Sequence, residues 1–285
     1  ARYTNNGTTV VVTETIRKDY DGSNNDGKYV IGNIGGIVGY MEGDNVHIDA
    51  SGNRGTVHTL DISDGNNISD ASEAANVGGI VGKIDRSSKI TDKNELGENY
   101  VNAAVSNSYN TGDVRGFTAI GGIAGMMYNG GIAGVYNLGE IRSTRVATGN
   151  ETPLNMGGIV GDTTEVSNAR AFIYDVYNKG KIGDETFKYK GRHVGGIVGR
   201  LSGVVEKAYN TGVIYNGAAV TGGIAGYLSA GKIENVFNTG NITVENNDGE
   251  NLGTQLGGLV GAANIGRGNV NISNAYNLGV IRSFK

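Results

Sequence analysis

Two short motifs alternate along this chain, and the alternation limits its fold more than any other feature. The first is Gly-Gly-[Ile/Leu]-[Val/Ala]-Gly, at residues 35–39, 78–82, 121–125, 157–161, 195–199, 222–226 and 257–261. The second is [Tyr/Phe]-Asn-x-Gly, at 109–112, 136–139, 177–180, 209–212, 237–240 and 276–279. A degenerate second motif at 52–55 keeps Asn53 and Gly55 without the aromatic, which completes seven pairs. A Gly-Gly-Ile-Ala-Gly at 130–134 falls outside the alternation; its Ile132 aligns instead with the Ile that precedes the second motif in Ile233-Glu-Asn-Val-Phe-Asn. Successive first motifs lie 43, 43, 36, 38, 27 and 35 residues apart, so the 27-residue stretch 195–221 is the smallest complete unit. Longer units add residues between the motifs, as in Lys83–Ser108, or after the second, as in Thr56–Val77, Arg142–Met156 and Thr243–Leu256. These additions are rich in Asp, Asn, Ser and Gly, the composition of exposed loops.

The smallest unit contains β-branched and aromatic runs such as Val204–Tyr209 and Val213–Tyr215, bounded by Gly and Asn. It has no ten-residue stretch of helical periodicity, and interior Gly costs a helix about 1 kcal/mol relative to Ala. Three short strands and three turns in 27 residues make one coil of a solenoid, whereas a propeller blade needs four antiparallel strands and about 40 residues. With 50 Gly but a single Pro the chain is not collagen, and with 38% hydrophobic residues it is not a flexible linker. It has no Cys, which removes disulfides and Cys-ligated zinc. The spacing predicts an all-β chain: a right-handed parallel β-helix of about seven coils with irregular loop insertions. Residues 1–30 form an N-terminal strand or cap segment and residues 31–285 form the repeats. Thr8–Ile16 is expected to supply one or two strands against the first coil. The start without a signal peptide and the finish within a coil read as an excised piece of a longer chain.

Stacking explains the repeated residues. Ile37, Ile80, Ile123, Ile159, Ile197, Ile224 and Leu259 form one inward column. The flanking glycines, including Gly36, Gly39, Gly79, Gly82, Gly122 and Gly125, either turn the chain with φ > 0 or let backbone approach backbone. Asn53, Asn110, Asn137, Asn178, Asn210, Asn238 and Asn277 either adopt left-handed geometry or bond amide to amide from coil to coil. Tyr109, Tyr136, Tyr177, Tyr209, Phe237 and Tyr276 stack at the same pitch, as ladder core rather than as a ligand platform.

These motifs resemble the GLUG-type repeats of bacterial surface and secreted proteins. The residues that carry the resemblance are Gly-Gly-Ile-Val-Gly and the Ile-x-x-x-[Tyr/Phe]-Asn-x-Gly segment, over about Ile34–Ile281. Such repeats occur in adhesin-like exoproteins and in non-catalytic regions of immunoglobulin A peptidases. The resemblance implies an extracellular stalk or binding segment and carries over no catalytic residue.

Candidate chemistry is sparse. The net charge is −4 with no basic stripe, which argues against nucleic acid, and no apolar run spans a bilayer. His47, His58 and His193 form no His-Glu-x-x-His and read as surface or loop residues. Asp19–Gly27 is the best Ca²⁺ candidate but misses the EF-hand template, and Asp61–Asn67 and Glu245–Asn251 are weaker. No metal and no cofactor is expected. A polysaccharide-cleaving β-helix would need paired carboxylates, and Glu206 and Glu234, three residues before their aromatics, are the nearest match. The position between Asn and Gly in the second motif is too mixed for an ice-binding Thr face. Tyr20, Tyr100, Tyr128, Tyr189 and Tyr215 fall off the aromatic column and are the expected ligand contacts. The expected function is an extracellular structural and adhesive rod whose loops, Lys83–Ser108 and Arg142–Met156 first, meet a host protein or glycan. On this reading either loop can be deleted without loss of folding.

Overall fold

The computed structural model describes residues 5–6, 10–12, 32–59, 76–144, 155–163, 171–186, 191–217, 220–245, 255–264 and 269–284. The chain is a parallel β-helix of seven coils. Each coil has four strand positions rather than three, here called walls one to four. Wall one ends on the first Gly of the first motif: Asn33–Gly35, Asn76–Gly78, Ala119–Gly121, Asn155–Gly157, His193–Gly195, Val220–Gly222 and Gln255–Gly257 stack in that order. Wall two follows the same motif, from Val38–Glu42 to Val260–Ala263. Wall three carries the second motif, and wall four follows it, from Val57–Thr59 to Ile281–Phe284. In coils five and six walls two and three merge into the continuous strands Val198–Asn210 and Ala225–Asn238. The fourth position was hidden in the sequence because these two walls have no loop between them in the shortest coil.

Every ladder is parallel, with Gly121 facing Gly157 and Asn210 facing Asn238, and the pairing of Val198–Asn210 with Ala225–Asn238 shifts by one residue between Leu201 and Ser202. The out-of-alternation glycines at 130–133 form a wall-three strand in which Ile132 pairs with Val105 and Ile173. Asn5–Asn6 and Val10–Val12 extend walls three and four by half a coil beyond the first complete coil. The turn between walls one and two is itself hydrogen-bonded between coils: the N–H groups of Ile80 and Val81 both donate to Ile123 O, at 3.0 and 2.9 Å.

The core lies in two columns. Between walls two and three pack Ile80, Ile123, Ile159, Ile197 and Ile224 with Ile132, Ile173, Val205 and Ile233. Between walls one and four pack Val77, Ile120, Met156 and Val194 with Val114, Ile141, Ile214 and Ile242. A polar column separates them. Each ladder Asn donates Nδ2–H to the Oδ1 of the next coil at 2.7–2.8 Å, unbroken from Asn53 through Asn110, Asn137, Asn178, Asn210 and Asn238 to Asn277. The second Nδ2 proton goes to the carbonyl of the Gly two residues on, as from Asn210 to Gly212 at 2.9 Å. The Gly212 N–H returns to Asn210 Oδ1 at 3.2 Å. An amide buried to 0% exposure thus has both donors and its acceptor engaged, which removes the penalty of burying it.

The two motifs meet at this column. A Cβ on Gly196, the second Gly of its motif, would lie 2.0 Å from Gly223 O and 2.5 Å from Asn210 Cγ. The equivalents Gly79, Gly122, Gly158 and Gly223 face Asn110, Asn137, Asn178 and Asn238 in the same way. Close approach therefore explains the motif glycines, because positive φ occurs elsewhere. It falls two residues before each aromatic position, at Ala50, Asn107, Gly134, Asp175, Lys207, Asn235 and Asn274. This is a left-handed corner once per coil, and it is not at the ladder Asn. Gly196→Ala and Asn210→Ala are each expected to destabilise the chain by about 3 kcal/mol, through overpacking and through orphaned buried amide partners respectively. Urea denaturation measures both; a loss below about 1 kcal/mol for either would remove the column from its central role.

Candidate functional site

The aromatic column lies on the outer side of wall three, with the rings from Tyr109 to Phe237 half-buried and Tyr276 exposed, rather than in the core. Tyr109, Tyr136, Tyr177, Tyr209, Phe237 and Tyr276 stack nearly parallel, their centroids 4.9–5.4 Å apart. Within the column each ring face is covered by the next ring, so from Tyr136 to Phe237 it is ring edges and polar tips that meet solvent. Such a column cannot offer flat faces to a sugar. Lys179 Nζ lies 5.2 Å from the Tyr177 ring centre, and Arg54 donates to Tyr109 Oη at 3.2 Å.

The insertion after wall two of coil two is not a free loop. It forms two short 3₁₀ helices, Lys93–Leu96 and Glu98–Tyr100, that lie on the outside of wall three. Ile90, Leu96 and Ala103 pack there on Ala133 and Phe172, with Leu96 wholly buried. Gly131 makes room for this cluster: a Cβ on it would sit 2.6 Å from Leu96 Cδ2. Arg86 pins the start of the segment, donating to Asn102 O at 2.8 Å and Val46 O at 2.6 Å. Ser88 donates through N and Oγ to the Asp44 carboxylate in coil one, which holds that group below the ordinary Asp range.

Tyr100 closes the segment. Its ring packs edge-on against Tyr174, with centroids 6.0 Å apart, and its hydroxyl donates to Asp175 Oδ2 at 3.1 Å. Lys207 Nζ donates to the same Asp175 oxygen at 2.9 Å. Gly134, Asp175 and Lys207 are the left-handed corners of coils three, four and five, and Tyr100 sits across all three; a Cβ on Gly134 would lie 2.9 Å from its ring. Burial and then the Asp175 bond raise the Tyr100 phenol above its ordinary range. The side chain expected to contact ligand is therefore engaged within the fold, and Lys83–Ser108 packs on wall three rather than projecting as a free loop. Tyr128 is half-buried with Lys83 Nζ 4.5 Å from its ring centre, and Tyr215 is half-buried within the wall-four strand Ile214–Gly217. Tyr20, Tyr189, Asp19–Gly27, Asp61–Asn67 and most of Arg142–Met156 lie outside the described residues.

His193 departs from the expectation of a surface histidine. It begins a wall-one strand and is 8% exposed. Its Nδ1–H donates to Asn155 Oδ1 at 2.7 Å, and Asn155 Nδ2 donates to Asp162 Oδ2 at 2.7 Å. Arg200 Nε stands 3.5 Å from Asp162 Oδ1, an ion pair too long for a hydrogen bond. Tyr227 covers the imidazole with ring centres 5.0 Å apart. Burial first, then the charges of Arg192 and Arg200, lower the His193 pKa to about 4. The ring is thus neutral at neutral pH. His47 lies exposed in the coil-one loop with Nδ1 3.1 Å from Arg86 Nη2. Glu206 and Glu234 are register partners on adjacent coils, and Lys232 pairs with Glu234. Among the described residues no group of three or more His, Asp or Glu is placed to hold a metal, and no helix is long and apolar enough to cross a membrane.

No family model, no curated protein and no solved structure matches this chain.

Two outcomes follow from the geometry. Leu96→Ala is expected to cost about 2–4 kcal/mol in urea denaturation, as for a buried core Leu and unlike a loop residue. His193 has a folded pKa below its unfolded value of 6.5, so its contribution is complete above pH 6.5 and is lost as pH falls toward about 4. The shift corresponds to about 3 kcal/mol. His193→Gln should flatten that part of the stability profile, and an unchanged acid slope would contradict the assignment.

Proposed function

We propose that this chain is a rigid, non-catalytic segment of an extracellular or cell-surface protein, a rod that carries a docked recognition insertion. The observation that supports this reading is where the repeated chemistry goes. The Asn amides bond to one another, the aromatic faces cover one another and the motif glycines face backbone. What recurs therefore builds the rod, and what varies lies outside it. The exposed position inside the second motif runs Arg54, Thr111, Leu138, Lys179, Thr211, Thr239 and Leu278. The resemblance to GLUG-type repeats supports the extracellular placement.

The insertion is the most differentiated outer surface in the described part of the rod. It shows Lys93, Glu95, Glu98 and Val101 to solvent, with Val101 60% exposed. The partner on this reading is a host protein or a glycan. Immobilised chain screened against extracellular-matrix proteins and a glycan array tests the idea. Binding is expected to withstand EDTA and to fall about tenfold for a Glu98→Lys, Val101→Asp double variant. Release of reducing ends from a polysaccharide, abolished by Glu206→Gln or Glu234→Gln, would replace the rod reading with that of a glycan hydrolase.

A further inference from the structure

The aromatic column leaves one group of each tyrosine unused by the fold. Its ring faces cover one another, but the hydroxyls of Tyr136, Tyr177 and Tyr209 have no hydrogen-bond partner among the described residues and are not buried. These rings are register partners on successive coils, with centres 5.0 and 4.9 Å apart and planes 1° and 6° from parallel. Their hydroxyls therefore repeat in one line along the rod, once per coil. Tyr109 opens the line 5.4 Å from Tyr136, its hydroxyl accepting from Arg54. Phe237 closes it, stacked 4.9 Å from Tyr209 without a hydroxyl. Burial first, then the neighbouring phenols, raise the Tyr177 group above its ordinary range, and burial and then Asp175 raise Tyr209. Both phenols are neutral at neutral pH, so each can donate and accept.

Exposed side chains border the line on both sides. Thr111, Leu138, Lys179 and Thr211 stand two residues after the rings, and Asn107 and Lys207 stand two residues before. We propose that this strip binds an extended, diequatorially linked polysaccharide of the cellulose or chitin kind, laid along the rod with one pyranose ring per coil. Stacked strands repeat at about 4.8 Å, and such a chain advances by nearly the same distance per ring, so each phenol meets a sugar hydroxyl. Sugar hydroxyls donate and accept as phenols do, which suits an uncharged row of them. An extended polypeptide, advancing about 3.3 Å per residue, presents no group at every coil. A coiled α-linked chain such as amylose has no straight line of hydroxyls to offer. Contact is through ring edges, as the covered faces require. The proposal goes beyond the insertion reading: it uses other residues and stands whether or not the insertion has a partner.

Depletion of the chain from solution by microcrystalline cellulose and by chitin, with amylose as the comparison, tests it. The expected result is capture by one or both fibres and not by amylose. The triple variant Tyr136→Phe, Tyr177→Phe, Tyr209→Phe removes the hydroxyls and keeps the stack, since Phe237 already stacks in the column. Its melting temperature should match the parent chain and its affinity for the fibre should fall about tenfold. Phe237→Tyr lengthens the line by one coil and should tighten binding about threefold. If the triple variant melts early, Phe237→Tyr carries the test. The Glu98→Lys, Val101→Asp variant should hold the fibre as the parent does. Capture by neither fibre, equal capture by amylose, fibre binding lost in the insertion variant, or an affinity that neither hydroxyl change moves would each overturn the proposal.

Discussion

The buried Asn column is the constraint on which the rest of the rod depends. A primary amide can be buried without penalty only if two donors and an acceptor all find partners. Here one donor closes the local turn and the other reaches the next coil, so local and inter-coil geometry cannot be changed separately. The amide also needs space, and the second glycine of the other motif provides it from the facing wall. Two motifs some way apart in sequence are thus two halves of one contact. The contact fixes the coil cross-section at its waist, with an apolar column on each side. Strand register follows, because a one-residue slip would carry the Asn out of the column and turn each core residue outward.

Much of this is legible in the amino-acid sequence. Alternating motifs with a fixed minimum spacing identify a solenoid, since insertions of varied length fit at the turns between strand positions and leave the repeated positions stacked. The alternatives left open for Gly and Asn were decided only by geometry. Motif glycines admit neighbouring backbone, and the left-handed corner lies two residues before the aromatic. That corner was obscured because its occupants, Ala50, Asn107, Gly134, Asp175, Lys207, Asn235 and Asn274, share no side-chain chemistry. Four of the seven are Asn or Gly, and three of them are Asn, which is the signal an alignment of the coils would have offered.

The insertion and His193 were misread for a common reason. Both depend on contacts between residues far apart in sequence, which composition does not report. Residues 86–104 are polar overall, yet Ile90, Leu96 and Ala103 are enough to dock the segment on Phe172. His193 sits in a run that reads as an ordinary strand start, and its burial follows from Tyr227 and Asn155 in neighbouring coils.

The docked insertion changes how the rod should respond to heat and force. A pure stack couples each coil only to its immediate neighbours, so it can fray from an end or split at one weak interface. The segment leaving coil two holds coil one through Arg86 and Ser88, and coils three to five through Leu96 and Tyr100. It is a second-neighbour coupling laid over a nearest-neighbour chain. The first five coils should therefore open as one block, while the last two, held by their ladders and by contacts between adjacent coils such as Tyr227 on His193, behave as a separable end.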